Sequence, residues 1–272
     1  MNNSSNTVSN EDIIEMTLTW SLSLSGIILN SVQLIMLYRF RGTSTNNHVY
    51  LISLSLSDLH VVIVKPVMLT LHIVGIHNIQ LETQTEKIGM SYLIMTVYNS
   101  LCHYVFITLD RLLAVSRPFW YRVTITRKIC VYTCLLIWSV SILFAILRAT
   151  AMNVIDKPLI YKLQCVTSSI MISCGIFYLI CYSVILKIVF RRRAIKTTLE
   201  HSQQSKISDW TLSTSEKHTL KISAGITISY MILNFPTAIS YFFEVADYQK
   251  WLRLCFLMNC SVDSIIYFFL HN

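Results

Sequence analysis

The residues of this chain best suited to chemistry are ionisable side chains placed inside long apolar stretches. Asp58, Lys65 and Asp263 each stand among apolar neighbours, and Asp110 and Arg111 form an adjacent pair at the end of another such stretch. Charged side chains inside a membrane span are expensive, and they usually face a bundle interior, an ion path or a proton relay. These residues are therefore candidates for binding or switching, although they could also simply face water-filled gaps between helices.

The composition indicates that these apolar stretches lie in lipid. Of the 272 residues, 54% are hydrophobic and only 13% are charged, whereas soluble domains carry about 25% charged residues. The net charge of +8 does not predict nucleic acid binding, because the basic residues lie in short gaps between apolar runs, where they anchor membrane helices. The eight cysteines are scattered without a CxxC pair, so neither a disulfide framework nor a cysteine metal site is indicated.

Seven apolar runs are long enough to cross a bilayer as helices, which takes about 20 residues. They are too continuously apolar for barrel strands, and helices satisfy their own backbone groups in lipid. The sequence therefore predicts an all-α membrane protein, a bundle of seven transmembrane helices. The predicted spans are 17–38, 48–74, 87–117, 127–150, 166–192, 217–244 and 249–270, and the polar gap 193–216 is predicted to be a flexible loop.

The basic residues also predict an orientation. About 15 Lys and Arg residues fall on one side of the predicted spans and six on the other. Positive residues concentrate on the cytoplasmic side, so we expect the N-terminus outside and the C-terminus in the cytoplasm. Residues 1–16 would be an extracellular tail, in which Asn2 and Asn3 open glycosylation sequons, and residues 17–272 the seven-helix domain. No cleavable signal peptide is evident, and the end at Asn272 fits either a truncated or a naturally short chain.

The order of short motifs resembles that of the rhodopsin-like G-protein-coupled receptors along nearly the whole chain. The motifs, in chain order, are GIILN, LSLSDL, Asp-Arg-Leu at 110–112, SRPFWY and Asp-Ser-Ile-Ile-Tyr at 263–267. Trp138, Tyr182 and Pro236 occupy matching places in the fourth, fifth and sixth runs. The resemblance implies a plasma-membrane receptor that is not an enzyme, with an extracellular ligand and a heterotrimeric G protein as partners.

The resemblance also implies an activation switch at the cytoplasmic end. Arg111 would be tied to Asp110 and Glu216 at rest, and Tyr182 and Tyr267 would meet Arg111 once the sixth run swings outward. The alternative for Glu216 is an acid favoured by the start of a helix. The residues implied for the switch are Asp110, Arg111, Tyr182, Glu216, Asn234, Pro236 and Tyr267, and those for G-protein contact are Arg111, Pro118 and Phe119.

A sodium site is implied in the middle of the membrane. Asp58, Ser100, Asn259 and Asp263 match the polar residues that bind sodium in relatives. Hard cations prefer several oxygen ligands, and a cation relieves the repulsion between two neighbouring carboxylates. The alternative is a hydrated polar network without a fixed ion, and no other cofactor is expected.

Several positions depart from the family's pattern. Glu86 stands where the family has a disulfide-forming cysteine, so Cys165 is expected to lack its usual partner. Asn234 replaces the usual tryptophan of the sixth run, and Cys174 and Ser264 replace prolines. These departures weaken the transfer of the family's usual switch mechanism without weakening the fold.

The ligand stays open. Leu93 replaces the aspartate of amine receptors, and Leu257 replaces the lysine that binds retinal, so neither ligand is expected. Lys65 lies seven residues after Asp58 on the same helix face, and a carboxylate-bearing ligand or peptide terminus would suit it. The alternative is that basic residues such as Arg148 extend to the membrane interface. The candidate pocket residues are Lys65, Leu93, Val97, Tyr241 and Arg253.

Two other classes of protein compete with a receptor as the interpretation of the buried charges. A transporter or proton-coupled protein could use Asp58, Asp110 and Asp263 as a proton relay, but no inverted repeat or pair of broken helices is visible. An enzyme is not indicated, because the chain contains no HExxH or GxSxG motif.

Overall fold

The computed structural model describes residues 9–39, 47–75, 79–151, 157–199, 214–240 and 246–271, and all of its elements are helices. This confirms the predicted all-α fold for the described residues. The helices are α1 (Asn10–Arg39), α2 (Asn47–Gly75), α3 (Ile79–Ser116), α4 (Pro118–Thr124), α5 (Arg127–Ala151), α6 (Lys157–Leu199), α7 (Thr214–Ser240) and α8 (Ala246–His271).

Six of the seven long helices are long and apolar enough to cross a membrane, namely α1, α2, α3, α5, α6 and α7. The described apolar part of α8 runs from Leu254 to Leu270. Within the six candidate spans, about half of the residues of α2 and α3 are buried, against 22% in α5 and α6. The helices α2 and α3 therefore lie nearer the centre of the bundle, while α5 and α6 turn most of their apolar surface outward.

The long helices pack in a closed circuit that runs through α3. Neighbours along the chain pack together from α1 to α3 and from α6 to α8, α8 packs back on α1, and α3 also contacts α5, α6 and α7. The core at the crossing of these helices contains the fully buried rings of Tyr104, Tyr178 and Tyr267. A central α3 brings its polar side chains within reach of α2, α7 and α8.

Helix α1 begins seven residues before the predicted span. Ser9 and Asp12 cap it reciprocally: the Asp12 amide donates to Ser9 Oγ (3.1 Å), and the Ser9 amide and hydroxyl donate to Asp12 Oδ2 (3.2 and 2.7 Å). Such a capping box satisfies donors that a helix start would otherwise leave open. Residues 10–16 of the predicted tail are therefore helical.

The polar gaps contain more helix than the sequence predicts. Pro118 starts α4, because proline fits the first position of a helix, and α4 occupies a segment that was expected to be a loop. Helix α6 continues to Leu199, so the first part of the predicted loop 193–216 is helical, and residues 200–213 lie outside the described chain.

Two glycines allow helices to approach closely. A Cβ on Gly225 of α7 would lie 2.8 Å from Ile266 Cγ2 of α8, and one on Gly26 of α1 would lie 2.7 Å from Val62 Cγ1 of α2. Carbon atoms in contact normally stay about 3.5–4.0 Å apart. The absence of a side chain at these positions therefore sets how tightly α7 meets α8 and α1 meets α2.

Candidate functional site

Two polar clusters lie within the bundle. The first, which we call the Asp263 cluster, consists of Tyr104, Ser229, Asn259 and Asp263 on α3, α7 and α8. The second contains Asp110, Arg111 and Tyr121, where α3 ends and α4 lies. We call this region, together with the beginning of α7, the α4 end of the bundle.

The Asp263 cluster joins three helices through one carboxylate. The Tyr104 hydroxyl donates to Asp263 Oδ2 in a short hydrogen bond, and Ser229 Oγ lies 3.3 Å from Asp263 Oδ1. Asn259 Nδ2 donates to the Tyr104 hydroxyl at 2.8 Å and lies 3.4 Å from Asp263 Oδ2. Because Asp263 is only 2% exposed, these donors replace water around a buried carboxyl group.

Asp58 lies beside this cluster with an oxygen that accepts no hydrogen bond. Its carboxyl group is 2% exposed, and Oδ2 has no donor among the described residues, as is also true of Asn259 Oδ1. Asp58 lies close enough to Asp263 for the two carboxylates to repel each other, and the Cys260 thiol contacts it. Ser100 is buried one helical turn before Tyr104. Two buried acceptors without donors are what a small cation or an ordered water would satisfy.

Helix α1 is fastened to α8 close to this cluster. Asn30 Nδ2 donates to the backbone oxygen of Cys260 at 2.8 Å, and Ser264 Oγ donates to Gln33 Oε1 at 2.6 Å. Ser264 is the residue that replaces the family's proline, and its hydroxyl makes an interhelical bond that a proline side chain cannot make. The polar Gln33 in the first apolar run was the sequence signal for this contact.

At the α4 end, Asp110 and Arg111 form a buried ion pair that Tyr121 completes. Arg111 Nε lies 3.0 Å from Asp110 Oδ2, and Nη2 makes a shorter contact with the same oxygen. Tyr121 donates to Asp110 Oδ1 at 2.6 Å and accepts from Arg111 Nη2 at 3.4 Å. With Asp110 4% and Arg111 3% exposed, the pair is shielded from water, and loss of either partner would leave a buried charge.

Glu216, in the first turn of α7, lies opposite α4. Its Oε1 lies 3.4 Å from Nη2 of Arg122 on α4, and this is the ion pair that the structure gives it. The structure therefore brings Arg111 to Asp110 but shows Glu216 with Arg122 instead of Arg111. The physical reason is that Asp110 and Tyr121 already surround the Arg111 guanidinium, while α4 places Arg122 opposite the start of α7.

The remaining switch candidates lie in the core between α3, α6, α7 and α8. The Tyr182 hydroxyl lies 3.3 Å from Thr227 Oγ1 of α7, and Tyr267 is fully buried. Asn234 is buried and donates to the backbone oxygen of Tyr230 at 3.0 Å, and Pro236 interrupts the backbone bonding of α7 one turn from its end. Neither Tyr182 nor Tyr267 is shown bonded to Arg111 in this conformation.

Helix α4 has an apolar surface that the bundle leaves uncovered. None of its residues is buried, and Phe119 and Val123 are 73% and 82% exposed. Residues four apart lie on the same helix face, and Trp120 beside them is 46% exposed. Pro118, the other predicted contact residue, begins this helix. Exposed apolar surface of this kind marks a contact with lipid or with another protein.

Comparison with known proteins identifies the family. The sequence profile of the 7 transmembrane receptor (rhodopsin family) matches residues 29–267. The chain belongs to this family. The resemblance seen in the motifs is thereby confirmed, and this is a family of multi-pass membrane receptors.

Individual relatives match a smaller part of the receptor. Proteins named "Probable G-protein coupled receptor 34" from Pan troglodytes, Pan paniscus and Gorilla gorilla gorilla are each 27% identical over 135 residues. The match covers 48% of this receptor and 35% of each relative. This receptor therefore spans about a third of the length of the curated relatives it matches.

The candidate ligand pocket of the receptor is only partly described. Leu93 and Val97 of α3 and Lys65 of α2 are half-buried, and Val97 packs against a core cluster that includes Leu257. Tyr241, the side chains of Glu86 and Arg253, and the sequon residues Asn2 and Asn3 lie outside the described residues. Their predicted roles, including the missing disulfide of Cys165, stay predictions.

The position of the Arg148 side chain differs from an expectation based on the sequence. The alternative considered from the sequence was that its side chain extends to the membrane interface, but the structure buries it to 8% exposure near the end of α5. The receptor thus directs this guanidinium toward its own helices.

Four residues of the Asp263 cluster and the α4 end were not identified from the sequence, namely Tyr104, Tyr121, Arg122 and Ser229. Tyrosine and serine occur throughout the apolar runs, so neither Tyr104 nor Ser229 stood out from its neighbours. Tyr121 and Arg122 were visible only as part of the SRPFWY loop and its basic continuation. The one usable signal was that α4 begins with proline at a position favourable for a helix.

Proposed function

We propose that this receptor crosses the plasma membrane seven times and passes an extracellular signal to a heterotrimeric G protein. The observation that carries the proposal is the buried Asp110–Arg111 pair, completed by Tyr121, directly beside the exposed apolar surface of α4. The ion pair can change its partners when a protein binds, and the exposed apolar surface of α4 gives that protein a place to bind. The α4 end is thus the proposed face for the G protein, with Arg111, Pro118 and Phe119 in contact.

The charge distribution supports placing the α4 end in the cytoplasm. About 15 Lys and Arg residues belong to the predicted cytoplasmic side and six to the other, and such a bias orients membrane helices. The N-terminus is then extracellular and the C-terminus cytoplasmic. The apolar segment of α8 would complete the seventh crossing. The hydrogen bond from Tyr104 and the other polar contacts of Asp263 would offset the cost of this acid inside the membrane.

We also propose that the resting receptor holds a sodium ion between Asp58 and the Asp263 cluster. The oxygens present fit a sodium ion, because Asp58 Oδ2 and Asn259 Oδ1 are buried and accept no hydrogen bond from the described residues, and the charge of Asp263 acts on Asp58. A bound cation would offset their repulsion, and Ser100 and Asn259 would add neutral oxygens. Because Asp263 already accepts from Tyr104 and Ser229, Asp58 would be the main ligand.

A carboxylate-bearing small molecule or a peptide terminus is the proposed ligand class. Lys65 lies on the same face of α2 as Asp58 and is half-buried, and the apolar candidates Leu93 and Val97 of α3 are half-buried as well. Removing the ammonium with Lys65→Ala should abolish the response to such an agonist while surface expression stays normal. An unchanged response would remove Lys65 from the pocket.

The function itself is tested by nucleotide exchange. Receptor reconstituted in lipid is mixed with purified heterotrimeric G proteins of several subtypes, and agonist-free exchange is measured against empty membranes. Acceleration of exchange on at least one subtype supports the proposal. If no subtype responds and the same vesicles carry an ion or proton flux, a transporter is the better account of the buried acids.

A further inference from the structure

Helix α4 contacts two different helices through two adjacent side chains. Tyr121 bonds to Asp110 of α3 at 2.6 Å, and Arg122 lies 3.4 Å from Glu216 in the first turn of α7. Adjacent residues of a helix point about 100° apart, so a single turn of α4 can reach both neighbours at once. With no buried residue of its own, α4 has little apolar packing to fix its position.

We propose that α4 is a clasp that holds the beginning of α7 in the resting receptor through the Arg122–Glu216 pair. In this arrangement the resting contact of Glu216 is with α4, and Arg111 is held separately by Asp110 and Tyr121. Outward movement of α7 then requires Arg122 and Glu216 to separate. The consequence for signalling rests on the proposed G-protein coupling, whereas the clasp itself is a physical contact that exists without it.

The exposure of the pair makes the clasp weak and reversible. Arg122 is 68% exposed and Glu216 26%, and exposed ion pairs shift an equilibrium by only about 1.4- to 5-fold. Added salt weakens such exposed ion pairs further. A contact of this size biases the resting state without locking it.

The two arms of the clasp also connect it to the Arg111 pair. Asp110 receives the Tyr121 hydroxyl on one oxygen and Arg111 on the other, so any displacement of α4 that pulls Arg122 from Glu216 also pulls at Tyr121. A partner that seats on the exposed face of Phe119 and Val123 is placed to move α4 in this way. Binding at α4 and release of α7 would thereby favour each other.

Charge reversal tests the clasp with a matched rescue. The variants are Arg122→Glu, Glu216→Arg and the double swap Arg122→Glu/Glu216→Arg, with Arg127→Glu at the exposed start of α5 as the control. A ketone-bearing unnatural residue at Val123 and at Lys221 accepts spin labels and leaves the native cysteines untouched. Electron resonance then gives the distance between α4 and α7 in lipid nanodiscs, and agonist-free nucleotide exchange is measured on the same samples.

Each single reversal is expected to lengthen or broaden the α4–α7 distance and to raise exchange by about 1.4- to 5-fold. The double swap should return both readouts to the parent values, and Arg127→Glu should change neither. The clasp is overturned if Glu216→Arg acts but the swap does not rescue it, or if no variant changes the distance. If the distances follow the expected pattern while no G protein responds to any sample, the clasp stands and the proposed coupling fails.

Discussion

The hydroxyl of Tyr104 on α3 donates to the carboxylate of Asp263 on α8, across 159 positions of sequence. Asn259, one turn before Asp263 on α8, donates to the same hydroxyl at 2.8 Å. The bond gives a buried acid a donor in the middle of the bundle and ties the central helix to the last one. A change in this contact would therefore affect both the proposed sodium site and the packing of α3 on α8.

Removing that hydroxyl should destabilise the receptor. Tyr104→Phe leaves the ring in place but deprives Asp263 of a donor, and an unsatisfied buried acceptor costs about 1–3 kcal/mol. We expect a lower Tm for the purified variant in detergent. Tyr98→Phe is the matched control, because the Tyr98 hydroxyl has only a 3.4 Å contact with Thr167 in a partly buried setting. Equal Tm values for the two variants would contradict this role for Tyr104.

Sodium should stabilise the parent receptor and not a variant without Asp58. Ligands that bind the folded state raise its apparent stability, so Tm should be higher in sodium chloride than in potassium chloride at the same ionic strength. Asp58→Asn should remove the difference, while Glu15→Gln near the start of α1 should preserve it. A sodium effect that survives in Asp58→Asn would show that the ion binds elsewhere.

The close contact of α7 with α8 gives a prediction about glycine. Gly225→Ala places a Cβ 2.8 Å from Ile266 Cγ2 and 3.3 Å from Leu270 Cδ1, and such overpacking costs about 1–3 kcal/mol. Gly89→Ala gains the same helix propensity, but its Cβ would only approach Met68 Cε at 4.0 Å. The Tm of Gly225→Ala should therefore fall clearly below that of Gly89→Ala. The reverse order would mean that α7 and α8 are farther apart than described.

Tyr121 should restrain signalling. Tyr121→Phe removes the 2.6 Å bond to Asp110 and with it about 1 kcal/mol of support for the resting Arg111 pair, which corresponds to about a fivefold rise in agonist-free nucleotide exchange. Tyr132→Phe is the control, because that side chain is 69% exposed on the outside of α5. If both variants signal like the parent receptor, Tyr121 does not hold the resting state.

Much of the fold was predictable, because long apolar runs leave few alternatives in lipid. The helix ends were harder to predict. The start of α1 depends on the Ser9–Asp12 cap, and a hydropathy pattern does not detect a polar capping pair. Helix α4 escaped prediction because its seven residues are fewer than the roughly 11–18 over which an apolar helical period can be recognised. The position of α4 relative to α7 brings Arg122 to Glu216. That position depends on tertiary packing, which the sequence pattern does not reveal.

The charged residues of the candidate site could be predicted from the sequence, but the neutral residues that bond to them could not. Asp58, Asp110, Arg111 and Asp263 stood out because ionisable residues are rare within spans. The hydroxyls that complete their surroundings did not, because Ser and Thr inside helices often bond only to backbone oxygens of the preceding turn, and tyrosine occurs throughout the apolar runs. Ser223 and Thr227 do this here, whereas Tyr104 reaches another helix.

The most direct test of the central claim measures agonist-free nucleotide exchange by purified heterotrimeric G proteins. It compares three receptors at matched surface density: the parent, Tyr121→Phe, and Tyr121→Phe combined with Phe119→Ala. The account predicts that Tyr121→Phe accelerates exchange on at least one G-protein subtype and that Phe119→Ala removes the gain, because the exposed Phe119 ring is the proposed contact with the G protein. Exchange that stays at the level of empty membranes for all subtypes, or a gain unaffected by Phe119→Ala, would contradict it.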